Sequence, residues 1–343
     1  MGELWLAVAV ALFFSSVSLK GLVPLAERIH LMDVPGGRKE HLRPTPLIGG
    51  LAAYCGVLAA TLLVHPLSST SLHFLIGGTI VLLVGMADDC KPLGVRLRLV
   101  FQILAIAFVC YGADLYISAL PIPIIGGELK LGPLALPFTV FAVVGLMNAF
   151  NLADGIDGLS GCLSLVAILG IFSFASLHTL SADHSLVLLL AVSLIPYLSH
   201  NLGLFGHKVF LGDAGSMFVG FILAWSLIAQ VESEPSSISS SSVLWCVAIP
   251  VIDTFGVMAR RIRKGISPFK PDRDHLHHIL QRAGLSSRQS LLLIVAASLA
   301  ILGFGLVIET VLPNYAVVAF FGLFLIYNYS LKHAWKVQKY LKG

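Results

Sequence analysis

Five aspartates in this 343-residue chain stand where hydrophobic runs end: the adjacent Asp88 and Asp89, then Asp154 and Asp157, then Asp213. A carboxylate at the border of an apolar segment is costly unless it is paired or binds a cation. Five that converge suit Mg²⁺ and phosphate, because Mg²⁺ takes hard oxygen ligands and shares them with phosphate oxygens. Asp88-Asp89 alone reads equally well as a polar helix end. Adjacent carboxylates repel, so either one has a raised pKa and acts as a base or both face a metal. The run from Asn148 to Gly161 is more specific, because it sets Asn148, Asn151, Asp154 and Asp157 among Gly155, Gly158 and Gly161. Carboxylates three residues apart share one face if the segment is helical, and the glycines let a ligand approach the backbone. Asp213 precedes a further apolar run. It reads either as a helix N-cap or as a metal ligand beside helix-end N–H groups suited to phosphate. Phe210, just before it, suits base stacking or anchoring at the membrane interface.

A second constellation is basic. Arg260, Arg261, Arg263 and Lys264 precede Ser267-Pro268-Phe269 and then Asp272, Arg273, Asp274, His275, Leu276, His277 and His278. Three nearby histidines invite zinc, but a closed zinc site wants a fourth ligand at suitable spacing. The cationic neighbours point to an anion instead, since imidazole and guanidinium groups together hold a diphosphate. A third loop, with Asp33, Pro35, Gly36, Gly37, Arg38, Lys39 and His41, is a candidate anion contact if it faces the acids.

The elements that must position these groups are membrane spans. Hydrophobic residues are 57% of the chain and charged residues 12%, half the roughly 25% of a soluble globule. Mean hydropathy is +0.91. Hydropathy gives about eleven spans, centred near 4–20, 47–64, 72–87, 98–113, 134–150, 159–177, 184–200, 214–230, 243–259, 289–308 and 313–331. The first is a span rather than a signal peptide, because no basic residue precedes it and Lys20 follows. With the N-terminus outside, all of the 22 Lys and Arg except Lys130 fall on the inner side or its boundary, the positive-inside pattern. Segment 114–133, with Gly126-Gly127, suggests a small hairpin on the outer face. Cys55, Cys90, Cys110, Cys162 and Cys246 form no CxxC pair and read as small hydrophobes. The expectation is an all-α integral membrane protein: one polytopic domain over 1–343, N-terminus periplasmic, C-terminus cytoplasmic, with a small periplasmic hairpin. Cytoplasmic loops 21–46, 88–97, 151–158, 201–213 and 260–288 then form the active site.

These segments, from about Asp33 to the C-terminus, resemble the polyprenyl-phosphate N-acetylhexosamine-1-phosphate transferases. The run His275-Leu276-His277-His278 is close to the His-Ile-His-His motif of the bacterial N-acetylglucosamine branch, with Leu276 in place of Ile. The stretch from Ser267 to Arg273, and Asp253 with Thr254, fit the same branch. The resemblance implies transfer of N-acetylglucosamine-1-phosphate from UDP-GlcNAc to undecaprenyl phosphate with release of UMP. It places the reaction at the inner membrane, as the first membrane step of O-antigen or enterobacterial common antigen type glycan synthesis. It implies Mg²⁺, with Mn²⁺ as a substitute, and a homodimer, and it calls for no nucleic acid. By the same resemblance, Asp213 and Asp157 hold metal, and Asp88 deprotonates the lipid phosphate. Asp89 and Asp154 complete the acidic centre. Arg98 contacts the diphosphate, and Gly155, Ile156 and Phe210 form the uracil pocket. His275, His277 and His278 cover sugar and phosphates, with His277 and His278 counted as catalytic. Asn151, Lys39 and Arg261 complete the substrate contacts. Another UDP-N-acetylhexosamine as donor stays open. An ion-coupled secondary transporter is the reading from another class, and acids at span borders without an internal repeat count against it.

Overall fold

Backbone that runs through lipid must bond its own N–H and C=O groups, and helices do so within one segment. The computed structural model describes residues 2–35, 44–64, 66–177, 183–233, 236, 238–267 and 274–341, with side chains through Leu331. The chain opens with α1 (Gly2–Gly21) and α2 (Val23–Arg28), then strands β1 (Met32–Asp33) and β2 (Thr45–Pro46). Helices α3 (Gly49–Leu63), α4 (Ser69–Cys90) and α5 (Val95–Gly112) follow, then strands β3 (Ala119–Pro121) and β4 (Glu128–Lys130). Next come α6 (Ala135–Ala153), α7 (Leu159–Ala175), α8 (Ser185–Asn201) and α9 (Gly212–Glu232). The last are α10 (Ser242–Cys246), α11 (Ala248–Arg263), α12 (Leu276–Arg282), α13 (Ser287–Val311) and α14 (Ala316–Leu341).

Among the described residues, seven helical stretches are long and apolar enough to cross a membrane, and α3, α7 and α8 are shorter apolar helices. Two-stranded ladders are the only sheets among these residues. Antiparallel β3–β4 pairs Leu120 with Leu129 and is the hairpin expected around Gly126-Gly127. Antiparallel β1–β2 pairs Met32 with Pro46 and was not foreseen, because two residues carry no readable period. The expected span 243–259 is broken between α10 and α11. Pro250 lacks the N–H that would bond the Cys246 carbonyl, and its ring crowds that turn.

α9 is the axis. Almost all of it is buried, and it packs against α3, α4, α6, α7 and α8, as expected of a helix apolar on every side. Its first turn is gripped by two neighbours with no room for side chains. A methyl on Gly50 of α3 would strike the Gly215 backbone, and one on Gly85 of α4 would strike Ala214. Small residues let helices approach this closely in a membrane, and here the contact fixes Asp213.

Candidate active site

The start of α9 is held by backbone as well as packing. Phe210 N–H donates to the Pro46 carbonyl at 2.9 Å, Gly49 N–H to the Phe210 carbonyl at 2.9 Å, and Gly50 N–H to the Leu211 carbonyl at 3.2 Å. The segment before Asp213 is thereby laced to the start of α3. Asp89, from the last turn of α4, accepts from Asp213 N–H at 3.0 Å and from Ala214 N–H at 3.1 Å. One carboxylate thus caps the helix of another. This corrects an expectation: these helix-end N–H groups serve Asp89 and are not open to phosphate, and Asp213 lies in the first turn of α9 rather than at its N-cap.

Asp88 faces the other way. One oxygen accepts from Leu93 N–H at 2.6 Å, the other from Arg98 at 2.6 Å, and its side chain is only 8% exposed. The same Arg98 nitrogen stands 3.5 Å from Asp213 Oδ2. Asp213 Oδ1 accepts from Asn151 Nδ2 at 2.9 Å. Arg98 and Asn151 therefore clamp Asp213 from two sides.

Asp154 and Asp157 lie beyond the end of α6 in a turn, not on a helix, so the expected helical face does not exist. The turn still aims both at the same space. Asn201 fixes it, accepting from Gly158 N–H while its own amide donates to the Val209 carbonyl at 2.8 Å. Asp157 pairs with Lys208 at 2.7 Å, and the Lys208 ammonium lies 5.2 Å from the centre of the Phe210 ring. Burial, reinforced by the Asp213, Asp89 and Asp157 carboxylates, pushes the Asp154 pKa up to about 8.

All five aspartates line one open cavity of about 910 Å³, together with Asn151, Gly155, Ile156, Phe210, Lys208 and His278. That is at the upper end of the roughly 300–1,000 Å³ of small-molecule sites. Arg98 stands behind the wall through Asp88 and Asp213. Among the described residues, no three His, Cys, Asp or Glu side chains are gathered as a closed metal cage. Mg²⁺ commonly binds through one or two carboxylates and completes its sphere with phosphate and water. The all-oxygen donor set of the aspartates fits that cation.

The histidine cluster divides. His278 reaches the cavity with Gln281 and Arg282 of α12. His277 is 2% exposed and lies under Gly155, where an added methyl would strike its ring. Burial, with His278 next, pushes its pKa down to about 3, so the ring is neutral. His275 is buried and bonds Asp253 Oδ2 at 2.9 Å. Arg261 is buried in α11. Neither His275 nor Arg261 lines the cavity, and Lys39 lies outside the described residues. Asn201, Gln281 and Arg282 were not singled out from the sequence. Asn201 carried a readable signal, a carboxamide closing an apolar run, while the other two look like ordinary loop polarity.

Residues 71–231 match the family described as Glycosyl transferase family 4. Over 327 residues the chain is 36% identical to the undecaprenyl-phosphate alpha-N-acetylglucosaminyl 1-phosphate transferase of Escherichia coli O157:H7, covering 93% of this chain and 88% of the relative. The protein of the same name from Yersinia pestis is 38% identical over 328 residues, with the same shares covered. The Haemophilus influenzae protein of that name is 39% identical over 345 residues, covering 98% and 96%.

Proposed function

The chain belongs to the undecaprenyl-phosphate alpha-N-acetylglucosaminyl 1-phosphate transferase family, and we propose from that membership the reaction its cavity performs. It transfers N-acetylglucosamine-1-phosphate from UDP-GlcNAc to undecaprenyl phosphate. The observation that carries the reading is the convergence of Asp88, Asp89, Asp154, Asp157 and Asp213 on one cavity at the end of an apolar helical bundle.

A phosphate oxygen of the lipid attacks the β-phosphorus of UDP-GlcNAc. The bond from that phosphorus to the bridging oxygen breaks, and UMP leaves with the electron pair. Two anions must meet, so charge stabilisation and positioning dominate the work. Asp213 and Asp157 would hold Mg²⁺, or Mn²⁺ in its place, and the bound cation would neutralise the diphosphate. Arg98 has a second task. Substrate phosphate draws its guanidinium off Asp88, and the released Asp88 Oδ2 takes the proton of the lipid phosphate. Asn151 keeps Asp213 aimed, and Asp89 keeps the α9 start intact while the charges change. Phe210, Gly155 and Ile156 offer a flat apolar surface for uracil, and His278 and Arg282 face the sugar-phosphate end.

UDP-sugars are cytosolic, so the cavity opens to the cytoplasm of a bacterial inner membrane. Eleven spans follow, with α10 and α11 together forming one, the N-terminus and the β3–β4 hairpin periplasmic and the C-terminus cytoplasmic. The protein works as a homodimer, at the first membrane step of O-antigen or enterobacterial common antigen type glycan synthesis.

The test supplies purified protein with undecaprenyl phosphate, Mg²⁺ and a panel of UDP-sugars, following UMP and lipid-linked product. Turnover of UDP-GlcNAc supports the reading. Turnover of only another UDP-hexosamine overturns the donor, and no turnover with a folded sample and verified acceptor overturns the reaction.

A further inference from the structure

Asp253 sits inside α11, 8% exposed, away from the acid-lined cavity. A carboxylate so placed in a membrane protein needs several donors, and it has three, one from α14 and two from the start of α12. Tyr327 of α14 donates its hydroxyl to Oδ1 at 2.6 Å. Leu276, the first residue of α12, donates its backbone N–H to the same oxygen at 3.1 Å. His275 closes the set at Oδ2, 2.9 Å away. An acceptor-only carboxylate requires the proton on His275 Nδ1, which fixes that ring's orientation. A second strap lies one residue earlier, where Arg260 of α11 donates to the Asp274 carbonyl at 2.8 Å. The far side of α12 then carries His278, Gln281 and Arg282 to the cavity.

The geometry points to Asp253 as a positioning residue. By gathering Tyr327, His275 and the Leu276 amide, it sets where α12 presents His278 and Arg282 to the nucleotide-sugar. Asp253 touches neither substrate, and its effect passes through α12. The inference rests on the proposed transfer reaction and adds to it a dependence on the chain's last helix, far in sequence from the acids.

The experiment compares full-length wild type with Asp253→Ala, Asp253→Asn and Tyr327→Phe, with KM and kcat measured for each substrate. Loose α12 side chains weaken binding of the donor, so KM for UDP-GlcNAc rises more than kcat falls. In Asp253→Ala, kcat/KM for UDP-GlcNAc drops about 100-fold, the scale of a misplaced active-site group. Asp253→Asn keeps an acceptor for Tyr327 and Leu276 and loses about tenfold, and Tyr327→Phe about fivefold, each in the range of one or two hydrogen bonds. KM for undecaprenyl phosphate stays at its wild-type value. Backbone amide exchange over 274–283 speeds up in Asp253→Ala, a readout independent of turnover. If Asp253→Ala does not fold, the other two variants decide. A fall in kcat at unchanged KM, tracking the folded fraction, would overturn the inference and leave Asp253 a structural residue. So would wild-type kinetics in Asp253→Asn and Tyr327→Phe together with unaltered exchange. If wild type itself releases no UMP, the transfer reaction fails, and the exchange arm alone decides whether Asp253 holds α12.

Discussion

The two ends of α9 treat carboxylates in opposite ways. At its last turn, Glu232 accepts from Ser118 N–H at 3.0 Å and from the Ser118 hydroxyl at 2.7 Å, beside the β3–β4 hairpin. Nearby, Glu309 accepts from the Ser239 hydroxyl at 2.9 Å, in a cavity of about 310 Å³ rich in serine. Neutral donors meet these acids one by one. At the first turn of α9, six aspartates, Asp33 with the other five, line one larger space, and burial, reinforced by the Asp213, Asp89 and Asp157 carboxylates, pushes the Asp154 pKa up to about 8. The difference separates acids that complete a structure from acids that await a ligand. Local hydroxyls and one backbone N–H meet the first kind, with only Glu309 Oε1 left without a partner, while the second kind is left with a charge imbalance that something from outside corrects.

The largest expected effect tests the cavity end. Asp213→Asn keeps the size and the Asn151 contact but removes the charge, and turnover should fall by about 10³ or more with the melting temperature held. Retained turnover would break the contrast between the two ends. Next is the packing that holds Asp213. Gly50→Ala forces a methyl into the Gly215 backbone, and such overpacking should destabilise by about 1–3 kcal/mol. An unshifted melting temperature in detergent would mean that the α3–α9 contact relaxes freely. A pH series sharpens the charge imbalance. Folded Asp154 keeps a proton up to about pH 8, whereas its ordinary value is 3.8. Between those values the folded state binds more protons than the unfolded chain, so metal-free protein loses stability as pH rises through this window. The stabilisation conferred by added Mg²⁺ should therefore be larger at pH 8 than at pH 6. Equal shifts at both pH values would count against the cavity as the cation site. The smallest effect belongs to the hairpin end. Glu232→Gln should cost about 1 kcal/mol or less, the scale of one exposed hydrogen bond, and leave kcat/KM unchanged. A drop in kcat/KM there would show that the two ends are coupled.

Much of this was legible before any coordinates. Each expected span has a helical counterpart, because bilayer-scale apolar runs leave few alternatives, and Gly126-Gly127 announced the hairpin. The five aspartates could be grouped because each closes or opens an apolar run. What stayed hidden depended on contacts between distant segments. Nothing local distinguishes Asp89, which caps another helix, from Asp88, which pairs with Arg98. The motif His275-Leu276-His277-His278 looks like one unit, yet its register on α12 sends His278 to the cavity, His277 beneath Gly155 and His275 to Asp253. The turn at Asp154 to Gly158 was read for a helical face because a three-residue spacing suggests one. Gly158, at φ +77°, sits where a helix cannot continue.

The grip of Asp89 on the first amides of α9 also bears on competition. Open helix starts are ordinary seats for dissolved phosphate and sulfate. Here the seat is taken by a carboxyl group tethered to the chain, at a local concentration that no free ion reaches. A phosphate group would then hold a place in the cavity only through a bound cation, Arg98, Lys208 or the α12 side chains. Inorganic phosphate, small and lacking a uracil or a lipid tail, has little else to hold on to. The site thereby offers free phosphate one seat fewer while remaining receptive to phosphates that arrive with a larger handle.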